Sequence, residues 1–106
     1  MEALTNMLLY IDTSDSEKIN LELDGKIFET LSKKRKSQRL LPFIYEILKK
    51  KKKKITDLTE IKVNTGPGSF TGLRIGVAVA SAIGWALGIK VNGRDIRKGK
   101  TIDVTY

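Results

Sequence analysis

Residues 75–89 read IGVAVASAIGWALGI, a stretch with no charged side chain. A helix lying on a protein surface carries a polar stripe, so this segment has to be covered on more than one side. It falls short of the ~20 apolar residues that cross a bilayer and is interrupted by small residues, which predicts burial in protein and no membrane role. Gly72, Gly76, Ala80 and Gly84 recur every four residues, a stripe that lets another backbone approach closely. Either a second protein packs on it, or the chain's own first helix does.

A chain of 106 residues suits one domain with one hydrophobic core. It contains no cysteine and no histidine, which removes disulfides, thiolate nucleophiles, imidazole general bases and nearly every zinc site. Carboxylates, hydroxyls and lysines remain, and no cofactor or bound metal is expected. The net charge of +8 is concentrated in residues 33–36 and 49–54. Such runs attract phosphate backbones, yet they also arise as plain solvated faces. The amino terminus lacks a basic region, and its apolar core over residues 7–11 is shorter than a secretion signal needs; a cytoplasmic protein is expected.

Residues 7–12 form a short apolar run that ends in Asp-Thr-Ser, which predicts a first strand delivering polar groups at its carboxyl end. Ile19, Leu21 and Leu23 alternate with Asn20 and Glu22, the period of a half-buried strand, and Asp24-Gly25 is a two-residue hairpin turn. Residues 27–31 return as a third strand, giving an antiparallel meander. Leu40, Phe43, Ile44, Ile47 and Leu48 then recur at helical spacing, with Ser37 placed to cap the helix and Pro42 expected to kink it or shift its start. A strand follows over residues 61–65, then the uncharged helix, then a strand over 89–91. Residues 94–106 carry only a weak alternating pattern.

Gly66, Gly68 and Gly72 sit where the fourth strand turns into the second helix, a place where backbone N–H groups can meet a phosphate. No Gly-Lys-Ser/Thr follows, so this is not a P-loop; Thr71 stands where a dinucleotide fingerprint needs its third glycine. The alternative is that the glycines permit a tight Pro67-Gly68 turn, with Ser69 or Thr71 capping the helix.

Three segments together resemble the TsaB family: residues 11–14 (IDTS), residues 37–42 (SQRLLP) and, most specifically, residues 66–76 (GPGSFTGLRIG). The resemblance runs from about residue 7 to residue 93. It implies an α/β fold, the ribonuclease H-like half of the actin-like ATPase (ASKHA) fold: three antiparallel strands, then helix, strand, helix and strand. It also implies a non-catalytic protein that pairs with a TsaD-type enzyme, joined by a TsaE-type ATPase, in threonylcarbamoyladenosine modification of tRNA. Leu40, Phe43, Leu73, Arg74, Val77, Ala80, Ser81 and Gly84 are the implied contact residues toward that enzyme or a second copy of the chain. Asp12, Gly66, Gly68, Ser69 and Thr71 match places where active members of the superfamily approach nucleotide, and residual phosphate binding is open there. Lys36 stands where the family usually has histidine. Residues 1–93 are thus expected to form a TsaB-like lobe followed by a divergent tail, 94–106, in place of a second lobe.

Three functions compete on these residues. The first is the scaffold just described. The second is an RNA-binding accessory protein holding tRNA phosphates with its lysine runs, and a decayed remnant of the family is its companion possibility. The third is an enzyme in which Asp12 holds a metal ion through water.

Overall fold

The computed structural model describes residues 6–32 and 35–105. Lys33 and Lys34 of the first basic run, and residues 1–5 of the amino-terminal reading, lie outside them.

Three strands come first: β1 (Leu8–Asp12), β2 (Lys18–Leu23) and β3 (Lys26–Leu31). β2 pairs antiparallel with both β1 and β3. The β2–β3 turn is Asp24-Gly25, with φ of 53° and 79°. Positive φ at both central residues is the turn whose twist matches paired strands. The chain then forms α1 (Lys36–Lys50), β4 (Glu60–Val63), α2 (Phe70–Leu87) and β5 (Lys90–Val91). β4 lies parallel to β1 and β5 parallel to β4, so the sheet order is β3-β2-β1-β4-β5. Both crossovers step in the same direction, and right-handed connections therefore lay both helices on one face.

The core is the space between that face and the helices. Alternate strand residues Leu9, Ile11, Ile19, Leu21, Leu23, Ile61, Val63 and Val91 point into it, and α1 answers with Leu40, Phe43, Ile44, Ile47 and Leu48. Each such side chain stabilises the fold by about 1.5–3 kcal/mol when fully buried. The opposite sheet face is open, and Ile27 and Leu31 on β3 are 73% and 66% exposed.

One expectation about α1 needs correction. Ser37 is not its cap: the helix begins one residue earlier, Arg35 precedes it in the left-handed conformation with φ 64°, and no side chain caps the end. Pro42 neither starts nor ends the helix, which runs through it. The ring sits on the exposed side, where only the one backbone bond to Gln38 is forgone. The carboxyl end closes differently from the usual glycine stop. Lys52 turns left-handed at φ 56°, and the Lys53 N–H returns to the Leu48 carbonyl at 2.9 Å.

The tail folds back onto the lobe. Ile96 and Ile102 pack against the core, and the Thr105 N–H donates to the Thr65 carbonyl at 2.6 Å. Arg97 donates to the last-turn carbonyls of α2, Trp85 at 2.7 Å and Ala86 at 3.0 Å.

Candidate functional site

Two parts of the molecule carry the residues singled out by sequence: the junction at the carboxyl ends of β1 and β4, and the helices α1 and α2.

At the junction, Asp12 is the last residue of β1. Its Oδ1 accepts the Ser14 N–H at 3.0 Å, the Ser14 hydroxyl at 2.6 Å and the Asn64 amide at 3.1 Å. Burial pushes the Asp12 carboxyl up, but these three donors more than offset it and hold the group below its ordinary value. The glycine loop is tied in the same way. The Gly66 N–H donates to Asn64 Oδ1 at 3.0 Å and the Ser69 N–H to the Ser14 carbonyl at 2.8 Å. The Gly72 N–H donates to the Ser69 hydroxyl at 3.3 Å, which makes Ser69 the cap of α2. Gly68 packs directly on Ser14, and Thr71 is exposed on the first turn. The Gly66, Ser69 and Gly72 N–H groups of the loop are therefore engaged within the chain. Among the described residues there is no group of three or more metal-ligating carboxylates.

Between the starts of the two helices lies a cavity of about 440 Å³ lined by Ser16, Arg35, Lys36, Ser37, Ser69 and Thr71, among others. Lys36 is buried there, and its Nζ donates to the Asp15 carbonyl at 2.6 Å. Burial lowers the ammonium's pKa, and the Asp15 and Glu17 carboxylates oppose that shift.

The small-residue stripe of α2 requires correction. Gly72, Gly76 and Gly84 face the chain's own sheet and the residues that extend its strands, and Ala80 is buried in the same core. A Cβ at Gly72 or Gly76 would overlap the Thr13 carbonyl or hydroxyl, and one at Gly84 the Val91 side chain. The Thr13 hydroxyl itself donates to the Gly72 carbonyl at 2.5 Å. Of the other expected contact residues, Leu40, Phe43 and Leu73 are also turned into the core. Arg74 is exposed, while Val77 and Ser81 are half-buried on the helix flank.

The outward side of α2 holds Arg74, Ala78, Ala82, Trp85 and Ala86. Trp85 is 60% exposed. Beside it, Leu41 and Tyr45 of α1 and Ala82, Ile83, Ala86 and Leu87 of α2 line an apolar groove of about 270 Å³. By length and composition α2 is apolar enough to cross a membrane, but one side of it is seated on the sheet. Asn64, Leu41, Tyr45 and Arg97 were not singled out by sequence as site residues, because the groups they meet lie far along the chain or on the neighbouring helix.

A mixed sheet in this order, with a meander leading into two same-side crossovers, defines the ribonuclease H-like lobe of the actin-like ATPase class. The family model described as "TsaD: tRNA N6-adenosine threonylcarbamoyltransferase" matches residues 15–93. The chain belongs to this family, and the relatives it matches include TsaB proteins. It is 38% identical over 88 residues to "tRNA threonylcarbamoyladenosine biosynthesis protein TsaB" of Escherichia coli, covering 79% of this chain and 37% of that protein. With the TsaB of Buchnera aphidicola subsp. Schizaphis graminum it shares 31% identity over 93 residues, 85% of this chain and 44% of that one. The solved structure of "YeaZ from Pseudomonas aeruginosa" superimposes with a TM-score of 0.71 at 30% identity, covering 82% of this chain and 42% of that chain. The chain thus spans less than half the length of these relatives.

Proposed function

We propose that the chain is a non-catalytic partner of a TsaD-type enzyme in the threonylcarbamoyladenosine modification of tRNA, acting in the cytoplasm with a TsaE-type ATPase as a further component. The observation that carries this reading is the outward side of α2. Beyond Arg74 near its start the helix itself carries no charged side chain there, and it exposes Ala78, Ala82 beside the apolar groove, and Trp85 with the Arg97 guanidinium over its ring. A helix face of this kind is stabilised by covering it with another helix. The non-catalytic part of the reading is supported by chemistry: the chain has no histidine or cysteine, and Asp12 is engaged in joining β1 to the loop.

The test is the solution mass of the chain alone and mixed with a TsaD-type protein. A defined heterocomplex that is lost in Ala82→Glu supports the reading. A monomer in the mixture overturns it, and so does a homodimer that excludes the enzyme. Ala80→Glu is unsuitable here, because Ala80 lies in the core and its replacement would unfold the lobe.

A further inference from the structure

The six lysines of residues 49–54 take no part in the α2 surface. Like charges this close repel one another. The close ion pairs among the described residues are Lys18–Glu29 and Arg39–Glu46 and include none of the six; the nearest opposing charges are Glu46, which interacts with Lys50, and Asp57, whose carboxylate accepts the Lys54 backbone N–H at 2.8 Å. The negative end of the α1 dipole favours Lys49 and Lys50, while residues 51–54 lie past it.

The reversal at Lys52 brings several of these lysines to the lining of one open cavity. Lys49, Lys52, Lys53 and Lys54 surround a cavity of about 660 Å³ that is also lined by Tyr45, Leu48 and Ile55. The Tyr45 side chain is half exposed at its edge. A cavity of this size admits a base with its ribose, an exposed aromatic ring offers it a stacking surface, and the surrounding ammonium groups meet the adjoining phosphates. An anionic membrane would instead call for apolar side chains projecting from the surface, whereas Leu48 is buried and Ile55 half-buried. A duplex would leave no base free for the ring.

We propose that this lysine-ringed cavity at the end of α1 binds single-stranded RNA, with Lys49, Lys52, Lys53 and Lys54 on the phosphates and Tyr45 stacked on a base. The choice of RNA over DNA rests on the family's role in tRNA modification. The cavity adjoins the α2 groove, sharing Tyr45 and Ile55 with it, but its lysines lie outside that groove, and binding is tested on the chain alone.

The experiment is fluorescence anisotropy of a short labelled single-stranded RNA titrated with the full chain. Four phosphate contacts on a single strand predict affinity falling roughly 50-fold between about 50 and 200 mM salt. Tyr45→Ala weakens binding roughly tenfold. The combined Lys52→Glu, Lys53→Glu and Lys54→Glu variant abolishes binding while keeping its circular dichroism and its pairing with the TsaD-type protein. Unchanged RNA affinity in the lysine variant overturns the proposal. So does binding to phosphatidylserine vesicles but not to RNA, and so does equal affinity for duplex with no effect of Tyr45→Ala. Loss of pairing in Ala82→Glu with RNA binding intact would support two independent surfaces.

Discussion

The Thr13 hydroxyl donates to the Gly72 carbonyl at 2.5 Å, fastening the residue after β1 to the first turn of α2. One turn later, Gly76 passes so close to the same hydroxyl that a methyl group has no room. Overpacking a core contact costs about 1–3 kcal/mol, so Gly76→Ala should destabilise the lobe by about 2 kcal/mol in urea denaturation. Thr13→Ala loses a buried hydrogen bond, about 1 kcal/mol, but it also vacates the space. The double variant should therefore be more stable than the sum of the two losses predicts.

Lys52 holds a left-handed conformation at the end of α1, a position that glycine occupies without strain. Lys52→Gly should raise stability by about 1 kcal/mol, measured as a higher urea midpoint with an unchanged slope.

The Asp12 carboxyl lies below its ordinary value because three donors outweigh its burial. A depressed folded pKa adds stability above the unfolded value, near 3.9. That stability is lost as pH falls through the folded value. Unfolding midpoints followed downward from about pH 4 should drop less steeply in Asp12→Asn than in the parent chain.

Arg97 lies over the Trp85 ring at 5.7 Å and bonds the last carbonyls of α2. Trp85 is the chain's one tryptophan, so its emission reports this contact directly. Arg97→Ala should shift that emission to longer wavelength and cost about 1 kcal/mol, the typical worth of such an exposed contact.

Local patterns in the sequence proved the most legible. The Asp24-Gly25 hairpin was readable because strand alternation and turn chemistry are set within a few residues. The order of strands and helices followed from the same periodicities, and the GPGSFTGLRIG run carried the family. What periodicity does not encode is the direction in which a stripe faces. Gly72, Gly76, Ala80 and Gly84 have the spacing of a helix–helix contact, and only the tertiary position of Thr13 and Val91 shows that they seat α2 on the sheet. The same holds for Asp12, whose partner Asn64 is brought beside it by the parallel pairing of β1 and β4. Ser37 was misplaced as a cap because the chain enters α1 through a left-handed Arg35, a conformation its residue type does not announce.

In the proposed function, the chain supports tRNA modification without supplying a reacting group. The direct measurement is threonylcarbamoyl transfer to tRNA by a TsaD-type enzyme and its TsaE-type ATPase, with and without the chain. Product that accumulates only when the chain is present, and equally with Asp12→Asn at a temperature where both are folded, is the predicted result. Transfer unaffected by the chain, or abolished by Asp12→Asn, would contradict it.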